Sequence, residues 1–359
     1  MAEKNEKKED KKVKLEETKS NSLNKWLIAS VVILLVLLGF LLGKNAGLSM
    51  FQAFSTGNNQ TAPTPTPTPD YILAGAGDIG YVSGGHAEDT AKILEVIFAG
   101  NTPGVVFTTG DNMNEGYAPY SYYTDYFDKS WGRLKSLIRP APGNHDFAPL
   151  LDGTSSYGSG YFGYFNNGSS SGPAGDSDKG WYSYNLGNWH IIVLNSSCEK
   201  SDVYCGGLGT TADKWAREIA WLKADLEANK NTVCTAAFWH RPRYSSGEHG
   251  DNLDMIPFWN VLYQYGADFV ANGHDHDYER FALQDPNGNA DPGHGIREFV
   301  VGTGGGCRVL GPNNPPNLEV KVGSINGVLK LTLHSTSYDW QFISTPDKTF
   351  TDSGSQACH

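Results

Sequence analysis

Six side chains able to ligate a metal stand directly behind apolar, β-prone runs in this 359-residue chain. Asp78 follows YILAGAG, Asp111 follows VVFTTG, Asn144 follows LIRPAPG, His240 ends VCTAAFW, and His274 with His276 follows DFVANG. Taken singly, a Gly-Asp behind a strand is a turn and a lone histidine is a satisfied core or surface residue. The set carries more, because sites in α/β sheets form outside the carboxyl ends of strands, and these ends would meet along one edge. His274 and His276 sharpen the point, since residues two apart on an extended segment face the same way.

Carboxylate oxygen, amide oxygen and imidazole nitrogen suit zinc, manganese or iron, whereas calcium prefers a shell richer in carboxylates. The number of ligands predicts two ions, divalent or of mixed valence. Two carboxylates cancel half the charge of a divalent pair, which leaves about +2 to attract a phosphate dianion. Two ions about 3.5–4 Å apart also acidify a bound water and hold it in line with a phosphoryl group. The expected chemistry is hydrolysis of a phosphate ester by a metal-bound hydroxide. His145, beside Asn144 in GNHD, is the natural proton donor to the leaving alkoxide, with Asp146 as its orienting partner. Arg241, Arg243 and Arg280 lie close in sequence to these ligands and are candidates to hold substrate oxygens or, equally, structural carboxylates.

The elements that position these residues read as alternating strands and helices from Tyr71 onward, an α/β arrangement in one domain over residues 70–359. Strands are predicted over 71–77, 104–109, 190–195, 233–239, 268–272 and 297–302. Apolar residues at helical spacing predict helices over 86–99, 211–229 and 253–265, the last stopping at Gly266. The β-prone runs of the last sixty residues suggest strands added to a second sheet. Aromatic segments YAPYSYYTDYF and YGSGYFGYF either wall the pocket or simply pack.

Residues 26–43, WLIASVVILLVLLGFLLG, carry no charge and are long enough, at about 1.5 Å per residue, to approach the thickness of a bilayer. Residues 1–25 hold eight Lys, and only Lys44 closely follows the apolar run, so the positive-inside bias keeps the N-terminus in the cytoplasm. We read an uncleaved single-pass anchor in the cell membrane, then a Thr/Pro-rich spacer over 44–69, with the catalytic domain outside the cytoplasm. From residue 70 the chain has 19 Lys and Arg against 33 Asp and Glu, a formal −14, which argues against nucleic acid as a partner. Export permits disulfides, for which Cys198–Cys205 and Cys307–Cys358 are the expected pairs, leaving Cys234 as a buried thiol.

The motifs GD at 77–78, GDN at 110–112, GNHD at 143–146, WHRP at 239–242 and GHDH at 273–276 resemble, in order and spacing, the calcineurin-like metallophosphoesterase superfamily. GHDHDYERF and GIREFVVGTGG are similar to its purple acid phosphatase-like branch and bacterial relatives. The resemblance implies a four-layer αββα sandwich in which Asp111 bridges the ions, Asp78 and His276 serve one, and Asn144, His240 and His274 serve the other. It also implies that His145 meets the phosphate or the leaving group and that His249 lines the substrate pocket, where Arg241 is a further candidate. Purple members carry Gly-Asp-x-x-Tyr, whose phenolate colours a ferric ion; here Asn114 stands in that place, a weaker neutral ligand or none, and a colourless enzyme is expected. The Asp-x-His of many other members is missing, because Gly80 follows Ile79.

The expected function is a membrane-anchored phosphoesterase acting on small phosphate esters, with monoesters favoured. A phosphodiesterase, or a surface binding protein on the same fold without turnover, stands as the alternative.

Overall fold

The computed structural model describes residues 70–115, 118–147, 158–177, 179–197, 215–306, 308 and 310–359. The expected cytoplasmic tail, membrane anchor and spacer lie outside these residues, as do Tyr117, Cys198, Cys205 and Cys307. Among the described residues, no helix is long and apolar enough to cross a membrane.

Three parallel strands open the fold: β1 (Tyr71–Ala76), β2 (Gly104–Thr108) and β3 (Ile138–Pro140). A small hairpin follows, β4 (Ser171–Gly172) with β5 (Gly175–Asp176). A second sheet is then built from β6 (Tyr182–Leu186), β7 (Trp189–Val193), β8 (Cys234–Phe238) and β9 (Phe269–Asn272), with β10 (Tyr278–Phe281), β11 (Arg297–Val301) and β12 (Leu318–Val322). Its spatial order is β12-β10-β11-β9-β8-β7-β6, with β7, β8, β9 and β11 parallel. Finally β13 (Gly327–Leu333), β14 (Ser337–Ser344) and β15 (Thr351–Ala357) extend the first sheet, to β15-β14-β13-β1-β2-β3. Of the closing strands only β12 joins the second sheet, because β13 pairs antiparallel with β1, Tyr71 opposite Leu333.

Successive residues on a strand face opposite ways, and this chain uses both faces. Ala236 and Phe238 of β8 enter the core between the sheets with Phe107, Phe269, Leu329 and Tyr338, and the Phe107 and Phe238 rings stack at 4.6 Å. Ala237 and Trp239 turn the other way, into a second core beneath two outer helices. Those helices, Ala216–Ala228 and Ile256–Gln264, bury Leu222, Leu226, Phe258, Trp259 and Leu262. Helix Ala87–Ile97 buries Ala91 and Leu94 and covers β1 and β13 from the far side. Strands covered on both faces explain why the sequence shows continuous apolar runs. The predicted α/β sandwich, helices outside and two sheets within, is what forms.

Several boundaries shift for local reasons. The helix expected over 253–265 begins as a 3₁₀ turn, Leu253–Met255, before Ile256–Gln264, with Pro257 in the first turn where its missing N–H is harmless. It ends as expected before Gly266, whose φ of 70° is left-handed. The aromatic segments are packing, not pocket wall: helices Tyr120–Asp125 and Ser159–Phe165 interlock through Tyr123 and Tyr164, 5.3 Å apart.

The expected Cys307–Cys358 pair and the free Cys234 fail, while Cys198–Cys205 lies outside the described residues. Cys234 is not a free thiol but is bonded to Cys358, 124 residues away. The bridge joins β8 of the second sheet to the residue following β15 of the first, a proximity that only the sheet order creates.

Candidate metal centre

Every strand-end residue singled out from the sequence arrives at one edge of the sandwich. Asp78, Asp111 and Asn144 come from the loops after β1, β2 and β3 of the first sheet; His240, His274 and His276 come from the loops after β8 and β9 of the second. Asp78, Asp111 and His274 all take the left-handed backbone, with φ of 57°, 47° and 71°. For residues with a Cβ this conformation costs about 1–3 kcal/mol and persists only where the surroundings impose it. It marks three abrupt turns that aim side chains inward. Gly143 is required where loops touch, since a Cβ there would sit 2.1 Å from the Asp111 amide nitrogen.

Asp111, fully enclosed, receives the His145 amide on Oδ1 at 2.8 Å, which leaves Oδ2 facing His240 Nε2 at 3.3 Å and His145 Nε2 at 3.7 Å. His240 Nε2 also lies 3.1 Å from Asn144 Oδ1 and 3.2 Å from His274 Nδ1. On the other side, His276 Nε2 lies 3.2 Å from Asp78 Oδ1, and Asp78 Oδ2 receives the His274 amide at 2.9 Å.

The donor set fits cations. His240 Nδ1 lies 2.9 Å from the Thr109 carbonyl, which can only accept, so Nδ1 carries a proton and Nε2 is the nitrogen turned toward the other ligands. That nitrogen meets a carboxylate oxygen, an amide oxygen and a second imidazole nitrogen within 3.3 Å, a crowd that a single ion reconciles. Asp78 Oδ1 is wholly buried, and beyond the His276 Nε2 contact at 3.2 Å it has no hydrogen-bond partner. Such an oxygen is expensive unless a positive centre compensates it. Ligand atoms of Asp78, Asp111 and His240 all lie within 4.8 Å of one another.

Protonation responds to the same crowding. Burial works to lower the His240 pKa, yet the adjacent Asp111 carboxylate carries it up to about 9. Burial and the neighbouring His240, His249 and Arg241 push His274 the opposite way, well below the usual imidazole range.

His145 stands at the mouth, its side chain one-third exposed and its amide anchored to Asp111, where it can meet a substrate. Asp146 is not its orienting partner. The Asp146 carboxylate is buried behind the loop, where it accepts from the Gly143 amide at 2.9 Å, the Asn112 amide and side chain at 3.1 and 2.9 Å, the Met113 amide at 3.3 Å and the Tyr123 hydroxyl. With its oxygens so engaged, it ties the β2 and β3 loops together. Burial and the charge of Asp111 push it up to about 6.

Asn114 lies beside the site, with its Nδ2 3.0 Å from His276 Nε2 and 2.6 Å from the Tyr81 hydroxyl. Sequence reasoning missed Tyr81, whose one signal was its place three residues after Asp78. His249 reaches the site by stacking on His274, ring centroids 4.0 Å apart. Arg280 is structural, paired with Asp352 at 2.7 Å and with Glu319. Arg243 is buried with its guanidinium 4.1 Å from the Tyr244 ring centroid. The Arg241 amide donates to Ser196 Oγ at 2.9 Å, which fixes the backbone directly after His240.

Comparison with known proteins agrees with this arrangement. The calcineurin-like phosphoesterase family model matches residues 73–278, a span that takes in every proposed ligand. Purple acid phosphatase 15 of Arabidopsis thaliana is 31% identical over 188 residues, covering 49% of this chain and 32% of that protein. Acid phosphatase type 7 of Danio rerio is 27% identical over 200 residues, covering 49% of this chain and 41% of its own length. The chain thus spans well under half of either relative. Among solved structures, a purple acid phosphatase from yellow lupin (Lupinus luteus) seeds superposes with a TM-score of 0.62 at 19% identity, covering 82% of this chain and 55% of that one. GAP50, the anchor in the inner membrane complex of Plasmodium, does so with 0.60 at 14% identity, covering 81% and 89%. These two likenesses concern the fold. On the family match and the ligand geometry together, the chain belongs to the calcineurin-like phosphoesterases, and the relatives it is similar to include purple acid and other acid phosphatases.

Proposed function

We propose that this protein is a metal-dependent phosphoric ester hydrolase, acting on small monoesters outside the cytoplasm while tethered by residues 26–43. The observation that carries the reading is the buried Asp78–Asp111–His240 cluster at the strand ends, whose ligand atoms all lie within 4.8 Å of one another. Asp78 and His276 would hold one ion, Asn144, His240 and His274 a second, with Asp111 between them. When bound, such a pair supplies Lewis acidity and lowers the pKa of a coordinated water toward neutrality.

The remaining work falls to side chains already in place. The Thr109 carbonyl fixes the tautomer of His240, and the Asp111 carboxylate fixes the loop that carries His145. His145, part-exposed at the mouth, delivers a proton to the departing alkoxide. The acidic surface does not oppose anion capture, because the local charge of the ions dominates at short range. The Cys234–Cys358 bridge supports an extracytoplasmic location, since such bonds persist in oxidising compartments.

The test is to incubate the full chain with manganese or zinc and a panel of aryl monoesters and diesters. Turnover of monoesters, abolished by Asp111→Ala, is expected. A folded protein inert with every metal would sink the reading in favour of a binding protein on this fold.

A further inference from the structure

Asp275 stands between His274 and His276 in the GHDH motif, directly after the left-handed turn at His274, and its side chain does not join the two histidines at the ligand cluster. It points instead into the loop that carries His249. Its carboxylate accepts from the His249 amide at 2.9 Å, from Ser245 Oγ at 2.5 Å, and pairs with His249 Nδ1 at 2.8 Å. Gly247 is obligatory at the turn of that loop, because a Cβ would lie 2.3 Å from the Asp275 carboxyl carbon. Four residues after Asp275, Glu279 receives the Ser246 amide on both oxygens, at 2.9 and 3.0 Å, and its hydroxyl at 2.8 Å. The loop is therefore clamped by carboxylates of the segment that also carries two proposed ligands.

Asp275 is 1% exposed, whereas the His249 side chain is 44% exposed and lies flat on His274. A carboxylate can only accept, so Nδ1 of His249 is committed to Asp275 as a donor and Nε2 is the nitrogen left to face an incoming molecule. We infer that Asp275 is a positioning residue: it fixes which nitrogen of His249 meets the phosphoryl group and holds the ring over the metal centre. This rests on the phosphoesterase reading for its substrate, but the clamp itself is a feature of this chain.

Asp275→Ala, Asp275→Asn and His249→Ala, each made in the full chain and in the pair Asp275→Ala/His249→Ala, test it. Metal content, orthophosphate affinity by calorimetry, and kcat and KM on an aryl phosphate are measured on every protein. Asp275→Ala is expected to keep its metal and to lose about 10- to 100-fold in kcat, as His249→Ala does. Asp275→Asn should recover part of the loss, because its amide oxygen still accepts from Nδ1. The double variant should be no worse than either single one. Wild-type kcat in Asp275→Ala, or losses that multiply in the double variant, would overturn the pairing. A loss of kcat that tracks a loss of metal would overturn it too, since Asp275 would then act through the ligands flanking it. If the wild-type protein hydrolyses nothing, the phosphoesterase reading fails and orthophosphate affinity decides the pairing. Equal weakening in Asp275→Ala and His249→Ala supports it, and unchanged affinity in Asp275→Ala overturns it.

Discussion

Replacing Asp146 by alanine separates two accounts of the GNHD motif. If Asp146 oriented His145, its loss would lower kcat and leave the rest of the protein intact. The structure instead gives its carboxylate five donors from four residues, Gly143, Asn112, Met113 and Tyr123, drawn from three segments of chain. Hydrogen bonds to a charged acceptor contribute about 1.5–3 kcal/mol each, but they are not additive, and some orphaned donors would be rehydrated in the space left behind. Each buried donor left without a partner costs about 1–3 kcal/mol, so the loss should be at least of that size. Asp111 lies one residue before Asn112 and Asn144 one after Gly143, so loosening these loops moves two ligands. Metal affinity should fall about 10- to 100-fold. Urea unfolding of the metal-free protein gives the stability change, and competition with a chelator gives the affinity. Wild-type values in both assays, with kcat alone reduced, would refute the structural role and restore the pairing with His145.

Other expectations follow from the same geometry. Asp111→Ala should abolish turnover and leave the protein short of its full metal complement by elemental analysis; retention of both would show that Asp111 does not lie between two ions. Protein purified with native metals should lack a strong visible band, because Asn114 replaces the phenol; a colour that disappears in Tyr81→Phe would instead give Tyr81 that role. Burial holds Asp268 up to about 7, against backbone donation from Thr235 and His359. A carboxyl whose folded pKa is raised binds its proton more tightly in the native state, so stability is full below pH ~4 and declines as pH rises toward 7. Urea midpoints across that window should flatten in Asp268→Asn, and an unchanged slope would contradict the assignment. The Cys234–Cys358 bridge closes a loop of 124 residues, for which chain entropy predicts about 5 kcal/mol. Cys234→Ser/Cys358→Ser should melt well below wild type, whereas an equal melting temperature would show that the bridge does not constrain the unfolded chain.

How much of this was legible in the sequence depended on periodicity and on strand ends. Runs such as VVFTT and CTAAF, covered on both faces, read as buried strands, and a candidate ligand behind each run pointed to the edge where these residues gather. Those inferences need only local pattern and one rule about sheets. Asp146 and Asp275 defeated local reasoning for a common cause: each sits beside a functional histidine, but whether its side chain turns toward that neighbour or away is decided by a bend of the backbone. Asp146 turns away to gather two loops, and Asp275 turns away to take hold of a third. The disulfide was illegible for a different reason, because Cys234 and Cys358 meet only once β15 has been laid at the edge of the first sheet. Tyr81 shows the same limit, its hydroxyl reaching Asn114 across 33 positions.

The ligands divide evenly between the halves of the sandwich: Asp78, Asp111 and Asn144 hang from one sheet, His240, His274 and His276 from the other. A cage of these six residues therefore needs both sheets in place, and the ions it captured would be those available where that closure happens.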